Sequence, residues 1–157
     1  MILDGMCFPD GLWYAPEHSM WLREEIDGAV TLGLTDYGVA LFGDIFAFTP
    51  KRLGLHIEAD RSLGVVEFAK AAASAKSPIA GTVVAHNESL SQRPALINRD
   101  CYGAGWMIRL RPDDWASAQL QLLRGEQALA AFVAQAQNDG FDPHDESVQA
   151  LKLKDKV

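Results

Sequence analysis

Short runs of apolar and β-branched residues, each bounded by Gly or Pro, are the feature that most constrains the fold of this chain. They cover residues 30–34, 46–49, 63–67, 81–85 and 106–111. Strands this short and this frequent are typical of a small sandwich or barrel. In the last run Trp106, Ile108 and Leu110 alternate with Arg109 and Arg111, which predicts a strand with one buried face.

Helical signals lie between and after these strands. Thr35 is a suitable N-cap for a helix over residues 36–42, which Gly43 would end. Acidic residues after Pro112 open a C-terminal helical region that Gly125 divides in two. We therefore predict an α+β fold, mainly β, with peripheral and C-terminal helices. The predicted domain covers residues 1–137, and residues 138–157 form a polar tail.

The charge of the chain excludes some classes of partner. Its formal net charge is −7 and its pI is about 5.0, so its surface repels nucleic acid and anionic membranes. Its apolar stretches are too short to span a bilayer, and the N-terminal residues lack the basic flank of a signal peptide. These features predict a cytoplasmic protein.

Cysteine and histidine spacing gives no sign of a redox motif or a metal site. Cys7 and Cys101 lie far apart in the sequence, which favours two reduced thiols; a redox pair is the alternative. The histidines are scattered without ligand spacing and lie at His18, His56, His86 and His144.

Lys70 is the residue on which the functional interpretation depends. An apolar strand leads into it, small residues follow it, and a Ser77-Pro78 turn precedes the next strand. This pattern places a lysine at or near a hairpin tip, with neighbours too small to cover it. The pattern alone favours an ordinary solvated lysine, and a modified lysine is the alternative.

Several blocks of the sequence resemble the glycine cleavage H-protein family in order and spacing. The attachment segment is matched at Glu67, Lys70, Ala71, Ser77, Pro78 and Gly81. Further blocks are Tyr14-Ala15-Pro16-Glu17-His18, Gly33-Leu34-Thr35-Asp36-Tyr37, Leu41-Phe42-Gly43-Asp44-Ile45 and the segment from Leu96 to Trp106. The resemblance covers roughly residues 12 to 135.

This resemblance implies a hybrid barrel-sandwich lipoyl domain in which lipoic acid is joined to Lys70 as an amide. It implies a carrier without catalytic residues of its own, and no nucleophile–base pattern or phosphate loop occurs in the sequence. A lipoate ligase or lipoyl transferase would attach the cofactor, and dihydrolipoamide dehydrogenase would reoxidise it. A monomer is expected, because a carrier visits several enzymes.

Departures from the family pattern bear on the pathway served. Phe68 and Ala69 precede the lysine, residues 72–76 lack the usual acidic and aromatic side chains, and Cys101 replaces a proline. Because partners recognise the surface beside the arm, altered charge there favours altered partners. We therefore favour a lipoate-binding protein of sulfur oxidation, which works with a heterodisulfide-reductase-like complex.

Three alternatives remain open. The first is the H protein of glycine cleavage itself, which carries an aminomethyl group between the enzymes of that system. The second is an unmodified binding module that kept the fold and lost the chemistry. The third is a biotin carrier, which is disfavoured because Ala69 and Ala71 stand where such domains have methionines.

Overall fold

Antiparallel strands dominate the computed structural model, which describes residues 2–3, 5–69 and 71–140. The strands are β1 (Ile2–Leu3), β2 (Met6–Cys7), β3 (Trp13–Ala15), β4 (Met20–Glu24), β5 (Val30–Leu34), β6 (Ile45–Pro50), β7 (His56–Ile57), β8 (Ser62–Phe68), β9 (Ala71–Lys76), β10 (Gly81–His86) and β11 (Ile108–Pro112). A two-stranded sheet pairs β1 with β2, a six-stranded sheet has the order β3-β4-β5-β11-β10-β7, and a three-stranded sheet has the order β6-β8-β9.

The helices lie between strands and at the C-terminal end of the described chain. They are α1 (Asp36–Phe42), α2 (Leu96–Arg99), α3 (Trp115–Gln119) and α4 (Gly125–Asn138). The Thr35 side chain accepts a hydrogen bond from the backbone N–H of Gly38, and Gly43 ends α1 at a φ of 74°. The predicted cap and stop of α1 are therefore confirmed.

Two clusters of buried side chains form the core. The first joins the six-stranded sheet to the three-stranded sheet, through residues such as Leu32 and Leu110 on one side and Leu63 and Val66 on the other. The two sheets therefore pack face to face. The second cluster joins the N-terminal segment to α4 and is centred on Phe132, which is fully buried.

The strands predicted from the sequence all occur, with shifted ends in most cases. One placement is wrong in part: β11 begins at Ile108, so Trp106 lies before the strand. The Trp106 N–H donates to the carbonyl of Gly103 at 3.1 Å, which closes a turn. Its ring lies 4.4 Å from the guanidinium carbon of Arg109, on the face that was predicted to be polar.

The sequence predicted two helices after Pro112, separated at Gly125, and both are present. Asp114 caps α3, since its carboxylate accepts from the Ser117 N–H at 3.1 Å. Helix α4 ends at Asn138, where the polar tail was expected to begin; residues 141–157 of that tail lie outside the described residues. Within the described part of the chain, no helix is long and apolar enough to cross a membrane.

Candidate functional site

The hairpin formed by β8 and β9 carries the segment that the sequence singled out. Its ladder runs from Ser62 opposite Lys76 to Phe68 opposite Ala71. Only Ala69 and Lys70 separate the two strands in the sequence, and Lys70 lies outside the described residues. The structure therefore describes this hairpin up to Ala69 and again from Ala71.

The residues around the end of this hairpin are small and accessible. Ala69, Ala71 and Ala72 are exposed, and so is Glu67. Phe68 is half-buried, with its ring 5.1 Å from that of Phe42 in α1. The end of the hairpin thus rests on an aromatic contact, while its other described side chains leave it open to solvent.

The opposite end of the hairpin is closed by backbone hydrogen bonds. The Ser77 N–H donates to Arg61 O at 2.8 Å, and the Asp60 N–H donates to Ser77 O at 2.7 Å. The buried Ser77 hydroxyl donates to Ile79 O at 2.6 Å. This fixes the Ser-Pro turn that the sequence identified, so the hairpin is held firmly at its base.

Strand β6 lies on the other side of β8 and carries an irregularity beside the hairpin end. Ile45 is opposite Phe68, but Ala47 is opposite Glu67, so Phe46 is an extra residue in the ladder. Bulges of this kind redirect a side chain, and the side chain of Phe46 is 61% exposed. The sequence predicts a strand that contains Phe46 but gives no indication of this exposure.

Buried Asn98 ties helix α2 to the same region. Its side-chain amide donates to Gly43 O at 2.7 Å, and its oxygen accepts from the Ile45 N–H at 3.0 Å. Helix α2 is therefore fixed against the start of β6. Asn98 lies in a block that carried the family resemblance, but nothing in the sequence indicated its partners.

A cavity of about 490 Å³ lies near the base of the hairpin, against α4. His18 and Asp60 both line it, and His18 Nε2 lies 2.7 Å from Asp60 Oδ1. The Nδ1 atom of His18 is buried and has no hydrogen-bond partner among the described residues. Glu17 lines the same cavity.

The two cysteines meet at one carboxylate, although they lie far apart in the sequence. The Cys7 N–H donates to Asp36 Oδ2 at 2.7 Å, and the Cys101 thiol lies 3.3 Å from Asp36 Oδ1. Cys7 is exposed and Cys101 is buried. Burial raises the pKa of Asp36, and the hydrogen bonds from Cys7 and Cys101 oppose that rise.

Within residues 2–3, 5–69 and 71–140, no group of three or more His, Cys, Asp or Glu side chains is arranged so that it could hold a metal ion. His18, His56 and His86 lie apart and bind Asp60, Asp113 and the carbonyl of Lys51 respectively. His144 lies outside the described residues.

Comparisons with known proteins agree on one family. The family model of the glycine cleavage H-protein matches residues 12–135. The glycine cleavage system H protein of Psychrobacter cryohalolentis is 42% identical over 118 residues, which is 75% of this chain and 93% of that protein. The H protein of Neisseria meningitidis serogroup A is 43% identical over 119 residues, covering 76% and 91%.

A solved structure gives the same result for the fold. The crystal structure of a glycine cleavage system H protein from Mycobacterium marinum superposes with a TM-score of 0.67 at 25% sequence identity. The match covers 85% of this chain and 100% of that chain. The predicted lipoyl barrel-sandwich with added helices is thereby confirmed.

Proposed function

This chain belongs to the glycine cleavage H-protein family, and from that premise we propose that Lys70 is its lipoylated residue. Members of the family are lipoyl carriers: they bear lipoate covalently on a lysine and serve a multienzyme system without catalysing its reactions. In this chain Lys70 has that role, and the multienzyme system is that of glycine cleavage.

The observation that carries the assignment is the pairing of β8 with β9 up to Phe68 and Ala71. Lys70 lies between Ala69 and Ala71 in the sequence, and both of these neighbours are exposed, so an attaching enzyme can reach this end of the hairpin. The exposed alanines beside it present little steric hindrance to that enzyme. The hairpin base, closed at Ser77, gives the arm a rigid anchor.

The fit of the cofactor follows from these neighbours. Amide formation at the Lys70 amine removes its charge and needs an accessible nitrogen. Lipoate held at Lys70 would supply a dithiolane as the redox-active, group-carrying end of the arm. The protein's part is to expose the anchor and to leave the arm free, and the small side chains at Ala69, Ala71 and Ala72 suit both requirements.

The named relatives favour glycine cleavage over sulfur oxidation as the pathway. Those described above are glycine cleavage H proteins, and no finding supports the sulfur-oxidation role that the departures from the family pattern suggested. We therefore assign to this chain the transport of an aminomethyl group. Its partners are then a glycine decarboxylase, an aminomethyltransferase, dihydrolipoamide dehydrogenase and a lipoate-attaching enzyme.

Intact-mass measurement of protein from a lipoylation-competent host tests the residue assignment. We expect wild type to gain the mass of one lipoyl group and Lys70→Arg to gain none. Lys76→Arg is the matched control, because Lys76 is an exposed lysine of the same hairpin; it should be lipoylated like wild type. An unmodified wild type, or an adduct that persists in Lys70→Arg, contradicts the assignment.

Exchange of labelled bicarbonate into the carboxyl group of glycine tests the pathway. Lipoylated wild type should support this exchange by glycine decarboxylase. The Lys70→Arg variant produced in the same lipoylation-competent host should support none. A fully lipoylated protein that gives no exchange above the Lys70→Arg background would refute the glycine cleavage role and leave the attachment site standing.

A further inference from the structure

An open groove of about 440 Å³ lies between the start of β6 and the segment that leads into α2. Its walls are Ile45 and Phe46 on one side, and residues 92–96 with Arg99 on the other. The bulge at Phe46 turns an aromatic ring toward solvent. Asn98 in α2 holds the two walls together, because its side-chain oxygen accepts a hydrogen bond from the Ile45 N–H in β6. The groove is thus a fixed feature of the fold.

The groove lies beside the proposed attachment site. Ile45 is paired with Phe68, the last residue before the connection that contains Lys70. Neighbouring strands are about 4.8 Å apart, so the wall formed by β6 lies one strand spacing from the end of the hairpin. Any enzyme that admits an arm attached at Lys70 must approach this surface closely.

The charge of the groove is opposite to that of the whole chain. The chain carries a net charge of −7, yet Arg93 and Arg99 line the groove, and none of the described acidic residues does. Both arginines are exposed, and neither side chain makes a hydrogen bond or ion pair with another described residue. Glu88 lines an adjoining pocket with Arg93, and Asp44 precedes Ile45, but neither lines this groove.

We propose that this groove is the docking surface for the arm-receiving enzyme, which inserts an apolar side chain against Phe46 and pairs carboxylates with Arg93 and Arg99. The inference rests on the proposed function, because it presumes an arm at Lys70. An exposed aromatic ring and unpaired arginines are the side chains most enriched where partners bind. Carboxylates on the partner complement the local positive charge and orient the complex.

Steady-state exchange assays with glycine decarboxylase test the docking surface. The double variant Arg93→Glu/Arg99→Glu should raise the KM for the lipoylated carrier about tenfold and keep kcat within twofold. Phe46→Ser should also raise KM. Arg52→Glu is the matched control, since Arg52 is exposed and follows the far end of β6; it should leave KM unchanged. Intact mass verifies that all carriers are equally lipoylated.

The same assays at increasing salt concentration distinguish the loss of ion pairs at the groove from an effect of the carrier's changed net charge. The KM of wild type should rise with ionic strength, and that of the double variant should rise much less. A double variant whose KM stays within twofold of wild type overturns the proposal, as does an equal increase with Arg52→Glu.

A peptide experiment keeps the test independent of the pathway. An acidic peptide with a central leucine flanked by glutamates is titrated into isotope-labelled carrier, and amide chemical shifts are followed. Changes should concentrate at the groove and vanish in the Arg93→Glu/Arg99→Glu variant. Groove-specific shifts without glycine exchange would refute the glycine cleavage role and support the docking surface. The docking proposal is refuted if the peptide changes no amide chemical shifts at the groove, or if it changes those around Arg52 equally.

Discussion

Asp36 shows how one residue joins distant parts of the chain. Its carboxylate accepts from the backbone N–H of Cys7 and contacts the thiol of Cys101, and its own N–H donates to the hydroxyl of Tyr102 at 3.0 Å. It is also the first residue of α1. The sequence predicts this position as the start of a helix and as part of a family block, but it does not indicate its contacts with Cys7, Cys101 and Tyr102, which lie far from it in the chain.

The buried carboxylate of Asp36 predicts a defined pH dependence of stability. Burial raises its pKa in the folded protein, so in the unfolded chain it ionises at lower pH. As pH rises above the ordinary carboxyl pKa, the unfolded state therefore loses its proton first and folding stability falls. Asp36→Asn does not titrate and lacks this fall.

Urea unfolding of both proteins between pH 3.5 and 7 measures the effect. Both oxygens of Asp36 accept hydrogen bonds, one from the Cys7 N–H and one from the Cys101 thiol. Asn keeps only one acceptor oxygen, so Asp36→Asn loses one of these bonds and should be less stable throughout. The stability advantage of wild type over Asp36→Asn should be largest at acid pH and shrink toward pH 7. An advantage that grows with pH would show that hydrogen bonding from Cys7 and Cys101 outweighs burial.

At the level of elements, the hairpin of β8 and β9 shows what the sequence could and could not predict. Helix α1 was predicted with its cap and stop because Thr35 and Gly43 act locally. Strand β9 was not predicted, since its residues are mostly alanine and have little preference for strands. It becomes a strand by pairing with β8. Lys70 was reached through family resemblance, because its local pattern is that of an ordinary surface lysine.

Gly64 is a position where this hairpin tolerates no side chain. A Cβ there would collide with Thr49 O and would lie 2.8 Å from the ring of Phe48, both in β6. Gly64→Ala should therefore push β8 away from β6 and cost about 1–3 kcal/mol of stability. Hydrogen exchange should show faster opening of β8 and β9, and lipoylation of Lys70 should slow.

Ser74→Ala is the control for that change. Ser74 is exposed and lies opposite Val65 in the same hairpin, so its truncation should alter stability by no more than about 0.5 kcal/mol. Unchanged exchange protection in Gly64→Ala would show that β6 yields to the methyl group and that the close approach is not essential.

For the whole molecule, the two core clusters stabilise different parts of the chain. The first contains Leu63, Val66 and Ala75 and so supports the hairpin that precedes and follows Lys70. The second packs α4 onto the N-terminal segment, with the Phe132 ring 4.5 Å from Phe8 and 5.9 Å from Tyr14. Among the described residues, the hairpin of β8 and β9 therefore contributes side chains to the first cluster only.

This division predicts that stability and lipoylation can be separated. Phe132→Ala removes a fully buried ring and should cost about 3–5 kcal/mol, with hydrogen exchange accelerated first in α4 and the N-terminal segment. At temperatures where the variant remains folded, Lys70 should still be lipoylated at the wild-type rate. Phe132→Leu retains part of the packing and provides a milder loss if the alanine variant does not fold. Leu120→Ala, at a side chain that is 82% exposed, should leave both properties unchanged. A lipoylation rate that falls with stability across the Phe132 variants would show instead that the second cluster also holds the hairpin in place.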